Sequence, residues 1–76
     1  MSGLKRCSGK ECVKILCNKF GFSIARQRGS HIVLTKAAGG GKVGTVVPNH
    51  LEIKLPTLRS ILRLAKVSED EFSKFQ

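Results

Sequence analysis

The apolar residues of this chain change period twice, and that pattern limits the folds open to it. Val13, Leu16, Cys17 and Phe20 recur at helical spacing. From Phe22 to Val47 the pattern becomes short alternating runs rich in β-branched residues. Helical spacing returns with Leu58, Ile61, Leu62 and Ala65. Local chemistry punctuates these segments. Ser8-Gly9-Lys10-Glu11 has the capping-box pattern, and Gly21 sits where a glycine ends a helix, so the first helix is expected over Gly9–Phe20. Ile15 does not fit its apolar face. Strands are expected over Phe22–Gln27, His31–Thr35 and Val43–Val47. Arg28-Gly29-Ser30 joins the first two strands, and Lys36–Lys42, with its three glycines, joins the last two. Simple alternation puts Phe22, Ile24 and Arg26 on one side of the first strand. It puts Ile32 and Leu34 opposite His31, Val33 and Thr35 on the second. Pro56-Thr57 opens the second helix, and a second capping box, Ser68-Glu69-Asp70-Glu71, announces a short helical piece toward Phe75. The expected architecture is α+β, in the order α-β-β-β-α plus a short C-terminal helical piece. A three-stranded antiparallel sheet carries both long helices on one face.

Residues 1–76 are expected to form one domain. A chain of this length buries only about 60% of its unfolded surface, which favours a shallow surface site over a deep cavity. Its 14 Lys and Arg against 5 Asp and Glu give a net charge of +9. Three of the acids cluster at Glu69, Asp70 and Glu71, which leaves Glu11 and Glu52 against thirteen basic residues before Ser68. Such a field attracts polyanions, with nucleic acid first. An acidic protein partner fits the same charge. A membrane partner is not expected, because no helix joins a broad apolar face to a dense basic one.

Cys7, Cys12 and Cys17 contain no Cys-x-x-Cys pair and no zinc spacing, so no metal or other cofactor is expected. Cys17 reads as a small core residue and the other two as free thiols. Reduced thiols, with no apolar run after Lys5 and Arg6, fit a cytoplasmic protein. Residues 1–7 read as a short basic lead-in.

Gly21-Phe22 followed by Arg26-Gln27-Arg28-Gly29-Ser30-His31 resembles the core motif of the HicA toxins. Val47-Pro48 followed by Thr57-Leu58-Arg59-Ser60-Ile61-Leu62 resembles that family's second motif. The resemblance covers about residues 9–72. It implies a fold like that of double-stranded-RNA-binding domains, a ribonuclease acting on messenger RNA, and a silencing antitoxin partner of the HicB type. It also implies that His31 is catalytic. Two departures bear on the loop before the second helix. Pro56 replaces a family glycine, and Pro48-Asn49-His50 is followed by the apolar Leu51.

RNA cleavage needs a base for the 2′-hydroxyl proton and an acid for the leaving oxygen. Histidine serves either role, because its ordinary pKa of about 6.5 populates both forms near neutrality. Without the resemblance, His31 reads equally as a structural strand histidine. Arg26 and Arg28 are candidate phosphate contacts, or a solvated pair. Gly29 either brings backbone N–H groups to phosphate or only makes the turn. Ser30 is a candidate phosphate donor. Arg59, Arg63 and Lys66 form a basic stripe that either meets RNA phosphates or is an ordinary solvated face. His50 is a candidate second acid or base, or incidental. Two rival functions share the same fold and charge: a non-catalytic RNA-binding module, and an inactive toxin relative kept for its protein partner.

Overall fold

Capping fixes where the first helix begins and ends. The Ser8 side chain accepts a hydrogen bond from the Glu11 N–H at 3.0 Å, and α1 runs over Gly9–Phe20. Gly21, at φ 77°, closes the helix in the left-handed conformation that an L side chain resists. The computed structural model describes residues 3–76, so the first two residues of the expected lead-in lie outside the described part. The strands β1 (Ser23–Arg28), β2 (His31–Ala38) and β3 (Gly41–Pro48) follow, then α2 (Leu55–Ala65) and α3 (Glu69–Ser73). The sheet is an antiparallel meander in the order β1-β2-β3.

The second and third strands are longer than alternation alone suggested. Gly39 and Gly40 both take positive φ, so they form a two-residue turn. Pairing therefore continues out to Ala38 and Gly41. Ile32, Leu34, Thr45 and Val47 are buried on the inner face, where α1 and α2 both pack against β3. Thr45 is satisfied there, donating its hydroxyl to the Ile61 carbonyl at 2.8 Å. Leu58, Ile61, Leu62 and Ala65 are the buried stripe of α2, as their spacing predicted. Burying each of the three large ones is worth about 1.5–3 kcal/mol.

Three expectations change. Phe22 precedes β1 and is buried, whereas Ile24 remains 57% exposed on the edge strand. The lead-in belongs to the core: Leu4 and Cys7 are buried, and Cys7 forms an isolated bridge with Ile53. The cysteine roles are reversed. Cys12 is fully buried and Cys17 only half-buried, and all three are free thiols. Cys7 and Cys12 occupy the positions just before the N-cap and four residues after it, the pair that a hydrophobic staple joins. Their mutual hydrogen bond, together with burial, pushes the Cys12 thiol well up, and the same bond holds that of Cys7 down against the opposing effect of burial. Ile15, unplaced by the helical pattern, is buried beside Leu16 in the same core.

α2 begins one residue before Pro56, at Leu55, with Lys54 as an N-cap that offers no side-chain bond. Ser68 caps α3 through the Glu71 N–H at 3.0 Å, and α3 drives Phe72 fully into the core. There the ring stacks on Phe20 with centroids 6.4 Å apart.

Candidate nucleic-acid interface

An irregularity in β1 decides which side chains share the open side of the sheet. Paired residues on adjacent antiparallel strands point to the same face. Ile24 pairs with buried Leu34, but the register shifts between Ile24 and Arg26, so Arg26 pairs with Val33 and Arg28 with His31. Ala25 is the extra residue of a β-bulge. Strict alternation grouped Arg26 with Ile24. The bulge instead turns Arg26 to the outer face with Arg28, His31 and Val33.

His31 is exposed at the first position of β2, paired with Arg28 on one side and Pro48 on the other. Gly29 and Ser30 form the two-residue turn before it. Gly29, at φ 57°, has nothing near the position a Cβ would occupy, so backbone conformation and not crowding favours glycine there. The Gln27 side chain donates to the Gly29 carbonyl at 3.3 Å across this turn. Among the described residues neither Arg26 nor Arg28 has an ion-pair partner, so their charge faces outward uncompensated. The outer face between them and the far turn is mildly apolar, with Val33 half-buried and Val46 41% exposed.

The segment after β3 closes on the same end. The Asn49 N–H donates to the Ser30 carbonyl at 2.6 Å, and the Gly9 N–H donates to the His50 carbonyl at 2.8 Å. α1 can come this close only because Gly9 lacks a side chain: a Cβ there would stand 2.3 Å from the Pro48 carbonyl oxygen. The junction leaves a hollow of about 310 Å³ lined by Ser8, Lys10, Asn49, His50 and Leu51. A hollow of equal size between α1 and the Phe75–Gln76 end is lined by neither histidine.

The α2 candidates lie elsewhere. Arg59 and Arg63 are exposed on the helical layer, on the other side of the sheet from the outer face that carries His31. Arg59 is already engaged, its Nε 3.4 Å from a Glu69 carboxylate oxygen. Lys66 lies past the end of the helix as a left-handed C-cap at φ 58°, its N–H returning to the Arg63 and Leu62 carbonyls. The stripe is therefore interrupted at both ends. Sequence reasoning passed over Lys10 and Asn49, whose proximity depends on Gly9. The trace available in the sequence was an apolar Leu51 in a polar loop. Among the described residues no group of three or more His, Cys, Asp or Glu side chains is placed to hold a metal ion. No helix of the described residues is long and apolar enough to cross a membrane.

The fold and this surface define a small basic α-β-β-β-α protein with an open, cationic sheet end. A family model described as the HicA toxin of bacterial toxin–antitoxin matches residues 9–67, and the chain belongs to that family. It is thus a toxin of a toxin–antitoxin system, with an antitoxin as its counterpart. No curated protein and no solved structure matches the chain.

Proposed function

We propose that this toxin is an endoribonuclease that cleaves messenger RNA, with His31 as its acid–base group and a HicB-type antitoxin as its inhibitor. The observation that carries the reading is the shared outward face of Arg26, Arg28 and His31 at the turn end of the sheet. Two uncompensated guanidinium groups beside an exposed imidazole suit an RNA strand whose phosphate lies over the Arg28–His31 pair. His31 takes the proton of the 2′-hydroxyl as its oxygen attacks phosphorus. The bond to the 5′-oxygen breaks, and that oxygen leaves with a proton from the imidazolium or from water. The products are a 2′,3′-cyclic phosphate and a free 5′-hydroxyl. Arg26 and Arg28 stabilise the negative charge that builds on the non-bridging oxygens. Gly29 and Ser30 keep the turn tight, and the Ser30 hydroxyl is a further donor to the phosphate. Arg59, Arg63 and Lys66, one layer away, add to the attractive field and do not contact the same phosphate.

No step runs through a metal or cofactor, and the reaction proceeds in the cytoplasm where messenger RNA is found. The test is incubation of the purified chain with RNA in EDTA beside His31→Ala. Cleavage by the parent, ending in cyclic phosphates and absent from the variant, is the expected result. Cleavage that EDTA abolishes, or that survives in His31→Ala, removes the mechanism.

A further inference from the structure

We propose that the hollow between the start of α1 and the segment after β3 is a nucleobase subsite, which holds the base next to the phosphate at His31. The proposal rests on the RNA-cleaving reading above and adds to it the group that selects where the strand is cut.

The position comes from the backbone. Asn49 is bonded to Ser30, the residue before His31, and Pro48 is the cross-strand partner of His31 itself. Asn49 and His50 follow directly, and two residues of chain span at most about 7 Å. An RNA strand with a phosphate at His31 therefore has a neighbouring base within reach of the hollow. The wall is also pre-built. The Gly9–His50 hydrogen bond and the close approach of Gly9 to Pro48 hold the loop against α1 without any ligand. A fixed shape is what a discriminating site requires.

The lining matches a base and its phosphate. Unstacked bases are read by stacking on aromatic rings, histidine included, and by hydrogen bonds to their edges. His50 supplies a ring, the Asn49 carboxamide a donor and an acceptor, and Lys10 a cation for the flanking phosphate. No carboxylate lines the hollow to repel an anion. Of the two acids adjacent in sequence to lining residues, Glu52 pairs with Arg6 at 3.6 Å, and Glu11 lines the other hollow, between α1 and the Phe75–Gln76 end. Leu51 leaves 97% of its surface in water. A lone exposed leucine is ordinary, but this one sits on the rim of a hollow of base-binding composition, where a bound base would cover it. A protein-docking point would centre on a packed apolar anchor with a polar surround. Here the one apolar side chain among the lining residues stands almost wholly in water, and the other four are polar or charged.

The test uses four homopolymeric RNA hexamers, of A, C, G and U, carrying 2′-methoxy groups. These cannot supply the attacking hydroxyl, so binding is read whatever the role of His31. The parent is expected to prefer one base over the least favoured by about fivefold or more, with His50→Ala and Asn49→Ala each reducing the spread to about twofold. Circular dichroism should show both variants folded, since both side chains are exposed. Equal affinity of the parent for all four hexamers overturns the subsite, as does a preference that survives in the Asn49→Ala, His50→Ala double variant. If the double variant binds all four as the parent does but escapes the antitoxin, the hollow docks protein and the proposal falls. Failure of the acid–base reading shows separately, as undiminished RNA cleavage by His31→Ala.

Discussion

At the scale of single residues, chemistry and stability separate cleanly. His31 points away from Ile32 and Leu34, which are buried, so removing it opens no core cavity. His31→Ala is expected to change stability by no more than about 1 kcal/mol, as at other surface positions. The same change should lower the rate of RNA cleavage about 10²–10⁴-fold, the usual contribution of one acid–base group. His31→Gln should be as inactive, because an amide hydrogen-bonds but does not exchange a proton near neutral pH. Parental rates in His31→Gln would reduce the histidine to a positioning role. Gly9 gives the opposite prediction. The atoms a Cβ would strike, the Pro48 carbonyl oxygen at 2.3 Å and the Asn49 Cα at 2.8 Å, are backbone and cannot swing aside. Gly9→Ala should therefore cost about 1–3 kcal/mol, read as a lower denaturant midpoint, despite alanine's better helix propensity. An unchanged midpoint would mean that α1 can back away from the loop freely.

At the scale of elements, the outer face of β1 and β2 should dominate the electrostatics of RNA binding. Each phosphate contact to a single strand contributes about −0.7 to the slope of log affinity against log salt, so Arg26→Ala with Arg28→Ala should flatten the slope by about 1.4. Arg59→Ala should flatten it less, because Glu69 already offsets that charge. Equal effects of the two sets, measured by salt titration of RNA binding, would place α2 in the interface as well. How far these elements were legible in the sequence follows from the range of the forces that set them. α1 announced itself through Ser8, Glu11 and Gly21, all local, and its observed bounds coincide with the expected ones. The stripe of α2 was equally plain, since Leu58, Ile61, Leu62 and Ala65 obey one period. The bulge at Ala25 was not legible, because β1 carries no Gly or Pro to mark it and its register is set by pairing with β2. Nor was the burial of Cys7, which depends on Ile53, far away in sequence. Arg28, His31 and their turn could be placed together from the chain alone. The hollow beside them could not, because it exists only where α1 meets the segment after β3.

At the scale of the whole molecule, the proposed function asks one small surface to serve two partners. The chain exposes 4993 Å² in all, and a stable specific complex covers about 800 Å² per partner. An antitoxin of that footprint centred on the His31 end of the outer sheet face covers His31, Arg26 and Arg28 together, because these share that end of a three-stranded sheet. Val33 and Val46 give that face an apolar middle, and the two arginines give it a cationic end. An acidic partner with an apolar centre would complement both. On the proposed reading, covering the face would block RNA directly and would need no conformational change in the toxin. Free toxin should therefore react at His31 with diethyl pyrocarbonate, and the complex with the antitoxin should protect it. Raising the salt should weaken RNA binding much more than the complex, since counterion release dominates the first and apolar burial supports the second. Suppose His31 is modified as fast in the inhibited complex as in the free chain. Then the antitoxin acts from the helical side, where Arg59 and Arg63 lie, and inhibition must pass through the sheet and not across its face.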